Sequence, residues 1–184
     1  MSHISTGVEY ALHCMLYLTE QPHGVRDASV RDLSDLQGVP VDYVAKLFTK
    51  LHKAGLVVAT EGAKGGFALA RPPEQISVLD VVDAIDGEKP IFECREIRSR
   101  CAVFDADPPP WATSGVCAVH AVMRNAEKRM REALAGDCLA DLAARVVAKA
   151  PRGYGPQVVK WLDDRTTNRR VARAERHEEE PSES

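Results

Sequence analysis

A mainly helical fold with one small β-wing is predicted by three features of the sequence. Apolar residues recur at helical spacing in six separate runs. One pair of short β-rich runs flanks a glycine-rich tip, between the third and fourth helical runs. The fifth helical run is long and amphipathic and stands after an irregular, proline-containing stretch, as an appended helix would.

In chain order, Thr6 to Glu20 reads as the first helix, with Val8, Ala11, Leu12, Met15 and Leu18 on one buried face and Pro22, His23 and Gly24 ending it. Ser29 is placed to cap a second helix, Val30 to Gln37, with Asp32 three residues on. Gly38-Val39-Pro40 makes the turn into a third helix, about Val41 to Ala54, which Gly55 terminates. Leu56 to Thr60 and Phe67 to Ala70 form a hairpin around Glu61-Gly62-Ala63-Lys64-Gly65-Gly66. Ser77 caps a short fourth helix, with Asp80 at its third position and Gly87 beyond its end. Glu88 to Gly115 is irregular and too long for an ordinary connection. Val116 to about Leu134 is helical, with Val119, Val122, Met123, Ala126, Met130 and Ala133 in one stripe, and Asp137 to Ala148 makes a last helix. Beyond Pro151 the chain turns polar and charge-blocked, and it is expected to be mobile.

Helix, turn, helix, then hairpin is the order of a winged helix-turn-helix. Its third helix fits a DNA major groove and its hairpin reaches the neighbouring backbone. The chain carries a net charge of −3, yet Pro40 to Arg71 holds Lys46, Lys50, Lys53, Lys64 and Arg71 against Asp42 and Glu61, a local +3. A positive patch therefore sits on the segment expected to meet phosphate. Asp42, Tyr43, Lys46 and Lys50 along the third helix, with Lys64 on the wing tip, are the candidate DNA contacts, Lys46 and Lys50 chiefly to phosphate. The long amphipathic helix needs a place to bury its stripe. Pairing with a second copy is the simplest answer, and a two-fold dimer suits a palindromic operator on double-stranded DNA.

The start of the chain has no basic segment followed by an apolar run, and no stretch approaches a membrane span. A cytoplasmic protein without a membrane partner is expected, and there five cysteines read as ligands or buried thiols before disulfides. Cys94, Cys101, Cys117 and His120 lie behind the wing with soft ligand chemistry beside a DNA-reading head, a pattern suited to a metal or an iron–sulfur centre. Cys14 in the first helix and Cys138 at the start of the last read as structural. Glu9 and His13 stand four apart, so their side chains stack on one helix face about 6 Å apart along the axis. No nucleotide-binding loop, catalytic triad or CxxC pair appears, and an enzyme is not expected.

The run Val8-Glu9-Tyr10-Ala11-Leu12-His13, the turn Gly38-Val39-Pro40-Val41-Asp42-Tyr43, Ala54-Gly55-Leu56-Val57 with Gly65-Gly66-Phe67-Ala68-Leu69, and Val78 to Gly87 resemble the Rrf2 superfamily of bacterial transcription regulators over about Met1 to Val146. The resemblance implies a winged-helix homodimer joined through the long helix, with an iron–sulfur cluster behind the wing in several members. It is nearest to the redox-sensing subgroup with a two-iron two-sulfur cluster. That subgroup implies Glu9 and His13 of one subunit and Cys94 and Cys117 of the other as ligands. A carboxylate and a neutral imidazole make such a cluster less negative than an all-cysteine one and favour its reduction. The alternatives are a four-iron nitric-oxide sensor using Cys94, Cys101, Cys117 and Glu9, and a winged-helix regulator whose three cysteines and His120 hold a structural zinc. Cys101 and His120 thus remain alternate ligands. The domains expected are 1–75, the winged DNA-binding head; 76–150, the cluster-binding loop and dimerisation helices; and 151–184, a mobile charged tail.

Overall fold

The computed structural model describes residues 3–19, 25–60, 65–105 and 107–179. It contains eight α-helices and one two-stranded sheet among them. α1 (Thr6–Leu16), α2 (Val30–Gln37) and α3 (Val41–Lys53) precede the hairpin of β1 (Val57–Thr60) and β2 (Gly66–Leu69). After it come α4 (Val78–Asp86), α5 (Pro110–Thr113), α6 (Ala118–Ala135), α7 (Leu139–Lys149) and α8 (Tyr154–Glu179).

The core of the head forms where the predicted apolar faces meet. Val8, Ala11, Cys14 and Met15 of α1 pack with Leu33 of α2 and Val44, Leu47, Phe48 and Leu51 of α3, and α4 adds Val81, Val82 and Ile85. Ser29 caps α2 by accepting the Asp32 amide at 3.1 Å, and Gly38 ends that helix in the left-handed region at φ 65°. At α4 the capping box is complete: Ser77 accepts the Asp80 amide and the Asp80 carboxylate accepts the Ser77 amide.

β1 and β2 pair antiparallel from Val57↔Leu69 to Thr60↔Gly66, and Ala28 bridges to Phe67, tying the segment before α2 to the wing. Gly66 is required there. A Cβ on it would lie 2.6 Å from the Ala28 carbonyl oxygen, inside van der Waals contact. Lys64 and Glu61 of the wing tip lie outside the described residues.

Two boundaries differ from the sequence expectation. α1 stops at Leu16 because the chain tightens there: the Leu18 amide bonds to Met15, and the Thr19 hydroxyl donates to the Leu16 carbonyl at 2.8 Å. The second difference is larger. The expected mobile tail begins with a packed helix, since Val158 and Leu162 of α8 are buried in the core. Arg165 of α8 lies 4.6 Å over the Trp161 ring, donates to Asp32 at 3.1 Å and pairs with Asp35. The tail's first turns are therefore part of the head, braced on α2.

α7 is joined to the base of α4, where Leu139 bonds to the Ile76 carbonyl and Val78 to that of Asp137. Cys138 caps α7, with its thiol 2.9 Å from the Asp141 carboxylate, as a structural cysteine would be. Cys14 is buried, and burial pushes its thiol pKa up to about 12, far from the thiolate form.

Candidate functional site

The recognition helix α3 buries Val44, Leu47, Phe48 and Leu51 and leaves Asp42, Ala45, Lys46 and Thr49 exposed on the opposite side. Asp42 and Lys46 thus stand on an outward face of the kind a major-groove helix needs. Two other predicted contacts, Tyr43 and Lys50, are also exposed, and each makes a contact within the chain. Tyr43 sets its ring edge-on to Tyr10 of α1 at 5.9 Å, and its hydroxyl oxygen is 3.1 Å from the point where a Cβ on Gly7 would sit. Lys50 donates its ammonium to the Ile85 carbonyl at 2.6 Å, satisfying a backbone group at the C-terminal end of α4. Asp86 next to it accepts both the amide and the hydroxyl of Ser5, at 2.8 and 2.6 Å. Burial raises the Asp86 pKa, but the two Ser5 bonds and the charges of Lys89 and Lys50 outweigh it and hold the carboxyl below its usual range. α1, α3 and α4 are thus tied by polar contacts at the edge of the DNA-facing surface.

Behind the head, the irregular stretch is organised by one arginine. Arg98 is gripped by Glu96 through two hydrogen bonds of 2.5 and 2.7 Å. Its Nη1 donates to the Ser114 carbonyl at 3.3 Å, and the second Nη2 hydrogen is shared between the carbonyls of Thr113 and Gly115, both at 3.1 Å. Arg98 holds the Glu96 carboxyl below its usual range, chiefly by this hydrogen bonding. Glu96 itself sits at φ 45°, an uncommon conformation for a residue with a side chain. The sequence reading passed over this pair. An arginine and a glutamate two apart inside a cysteine-bearing loop were the only signal for it.

Cys94 lies on one side of this stitched loop and Cys117 on the other, where Cys117 occupies the N-cap position of α6; both are half-buried free thiols. Cys101 lies within the loop, at the turn into the short 3₁₀ segment Ala102–Phe104, and is exposed. His120, one turn into α6, turns its ring toward Phe92 at 6.2 Å with its Nδ1 buried and without a hydrogen-bond partner among the described residues. No group of three or more histidine, cysteine, aspartate or glutamate side chains gathers at metal-binding range among the described residues of one chain.

Glu9 and His13 are exposed on α1, and neither engages another side chain among the described residues. They lie in the lining of an open groove of about 680 Å³ between α1, α4, the end of α6 and α7. The rest of that lining is largely apolar, with Leu12, Leu16, Val82, Leu134 and Val146 among it. On α6 no residue is buried: Val119 is 56% and Val122 66% exposed, and Met123 is exposed beside them. The far end of α6 is fixed by Arg131, which grips Asp83 of α4 through two hydrogen bonds of 2.9 and 2.7 Å. One chain thus presents both an apolar groove bearing a Glu–His pair and an apolar helix headed by a cysteine.

A buried three-helix head with a paired wing and an outward recognition helix defines a winged helix-turn-helix DNA-binding protein. The chain belongs to the Rrf2 family, whose model, described as an iron-dependent transcriptional regulator, matches residues 4–145. It is 33% identical over 136 residues to protein rrf2 of Nitratidesulfovibrio vulgaris, covering 74% of this chain and 81% of that one. It is 37% identical over 84 residues to the HTH-type transcriptional regulator IscR of Cereibacter sphaeroides, covering 45% of this chain and 54% of that one. Among solved structures it superposes on T. potens IscR with a TM-score of 0.60 at 25% identity, covering 83% of this chain and 95% of that one. It superposes on CymR (YrzC), the global cysteine regulator of B. subtilis, with a TM-score of 0.57 at 28% identity, covering 79% and 98%. The chain is a DNA-binding transcription regulator, and its relatives are regulators, not enzymes. No helix among the described residues is long and apolar enough to cross a membrane. All of α8 lies beyond the matched family segment.

Proposed function

We propose that this regulator works as a homodimer whose DNA binding follows the redox state of a two-iron two-sulfur cluster held between the subunits. One observation carries the reading. The groove that exposes Glu9 and His13 is apolar, and the exposed stripe of α6 is headed by Cys117. Seating a partner's Val119, Val122 and Met123 against such a surface buries apolar area on both sides, worth about 25 cal/mol for each Å² removed from water. The same docking carries the partner's Cys117 and Cys94 toward Glu9 and His13. The donor chemistry fits the group: two free thiols, one carboxylate and one imidazole, none committed to another side chain among the described residues. Two ligands from each chain at a site, with no third gathered beside either pair among the described residues, also suit a site completed by a second copy.

When bound, such a cluster supplies a one-electron couple. The chain's own residues do the rest. Glu9 and His13 project from the helix whose next residue, Tyr10, touches Tyr43 of the recognition helix. A small displacement of α1 at its ligand face therefore acts on α3 through a direct ring contact and through the Ser5–Asp86 and Lys50–Ile85 bonds. Asp42 and Lys46 on the outer face of α3, with Lys64 on the wing, meet a palindromic operator, and Lys46 supplies phosphate affinity.

Anaerobic purification with visible absorbance and iron and sulfide assay tests the reading, followed by DNA binding in both oxidation states. Two irons per subunit and a redox-dependent affinity are expected. Cys101→Ala should stay coloured, while Cys94→Ala, Cys117→Ala and His13→Ala should lose or perturb the cluster. Four irons per subunit, or a colourless Cys101→Ala protein, would transfer the site to the three-cysteine arrangement, and a colourless zinc protein would replace both.

A further inference from the structure

We propose that Arg98 is the positioning residue that sets the separation of Cys94 and Cys117, acting as a side-chain stitch that closes the loop between them. The inference rests on the ligand pair proposed above. Cys94 and Cys117 are separated by a stretch that contains three consecutive prolines and no long helix. An unrestrained stretch of that kind would leave the two thiols free to drift, because closing a loop costs entropy that some contact must offset.

Arg98 supplies that contact. It lies four residues after Cys94, and the last carbonyl it binds, that of Gly115, lies two residues before Cys117. Three successive carbonyls of one strand and a bidentate carboxylate of the other converge on a single planar group. A guanidinium presents its N–H donors in a fixed fork: Nε and one Nη2 hydrogen take the carboxylate, Nη1 takes Ser114, and the second Nη2 hydrogen is shared by Thr113 and Gly115. A lysine ammonium has three donors and no fork, so it cannot reproduce the arrangement.

The backbone on both sides is adapted to the stitch. Glu96 and Gly115 each adopt positive φ, 45° and 67°, turning the Glu96 carboxylate and the Gly115 carbonyl onto the same group. Cys101 lies inside the closed loop and is exposed. The stitch therefore selects two of the three cysteines, holding Cys94 and Cys117 at its two ends and leaving Cys101 outside the pair.

The test uses the full chain carrying Cys101→Ala and Cys138→Ala, prepared without metal and reduced. A bifunctional bimane reagent that fluoresces only after reacting with two thiols reads how often Cys94 and Cys117 of one chain come within reach, with the linkage mapped by peptide mass. Arg98→Ala should slow that cross-link by roughly tenfold or more, as expected when an oriented pair becomes a flexible one. Arg98→Lys should behave like Arg98→Ala although it keeps the charge, and Glu96→Gln should fall between, which keeps the test decisive if Arg98→Ala does not fold. In the cluster-loaded protein, Arg98→Ala should also lower the midpoint potential, because a positive charge that favours uptake of an electron is gone. Cross-linking of Arg98→Ala or Arg98→Lys at the parent rate, with helix content retained, overturns the proposal. A parent protein that binds no cluster overturns the redox reading instead, and the cross-link rate reports on the stitch independently of it.

Discussion

The head and the cysteine arm of this protein are built by opposite rules. In the head, Phe48, Met15, Leu33 and Leu51 are fully buried, and the helices around them are capped and tied by side chains from their neighbours. In the arm, α6 buries no residue, and Ile97, Val103, Trp111, Val116, Val119 and Val122 all stand exposed. The head satisfies its apolar surface within one chain. The arm does not, and polar contacts, Arg98 to Glu96 and Arg131 to Asp83, hold its shape beside the ring pairs Phe92–His120 and Phe104–Trp111. Under the dimer proposed above, the DNA-reading unit is fixed within one chain and the sensing unit is completed by a second copy.

Truncation in the head should give the largest effect. Phe48→Ala removes a fully buried ring that also packs against Phe67 of the wing at 5.1 Å, and should cost about 3–5 kcal/mol in denaturant unfolding. A change in the arm should separate assembly from folding. Val122→Asp should leave the fold of each chain in place by circular dichroism while shifting the protein from dimer to monomer in sedimentation, because its side chain is 66% exposed in the single chain. Retention of the dimer would remove α6 from the interface.

Smaller effects refine the boundary between the two regions. Arg165→Ala withdraws the α8 partner of Asp32, which is 1% exposed, and should destabilise the protein by about 1–2 kcal/mol, a value reduced for the solvent around the half-exposed arginine. Thermal unfolding checks it, and an unchanged midpoint would mean that α8 only rests on the head. Smallest is the DNA contact of one lysine. Lys46→Ala should reduce the salt dependence of DNA binding by about one charge, and Lys50→Ala should change it less because Lys50 is bonded to Ile85. Equal slopes for the two variants would return Lys50 to the phosphate face.

Much of the head was legible in the sequence because its signals are local. Ser29 with Asp32, Ser77 with Asp80, Gly38 and Gly55 fix helix ends within a few residues, and periodicity assigns Val44, Leu47, Phe48 and Leu51 to one face. Periodicity does not say what a side chain at the edge of that face will meet. Tyr43 and Lys50, read as DNA contacts, are exposed and also meet Tyr10 and the Ile85 carbonyl, which are distant in sequence. α8 was misread for a different reason. Val158, Trp161 and Leu162 stand at helical spacing, but so short an apolar stripe is outweighed by the charged residues after it. In the site, residue types were readable and gathering was not. Cys94 and Cys117 announce themselves, whereas Arg98 becomes meaningful only when three carbonyls and Glu96 converge on it.

The central claim is that each cluster site takes Glu9 and His13 from one chain and Cys94 and Cys117 from the other, and a mixed dimer tests it most directly. One chain carries His13→Ala; the other, with a different affinity tag, carries Cys94→Ala and Cys117→Ala. Each variant alone should lack the intact cluster signature. The co-expressed heterodimer, isolated through both tags under anaerobic conditions, should recover it at one cluster per dimer, because one of its two sites keeps all four ligands. A heterodimer as devoid of the signature as either parent, or a His13→Ala homodimer with the wild-type spectrum, would contradict the account.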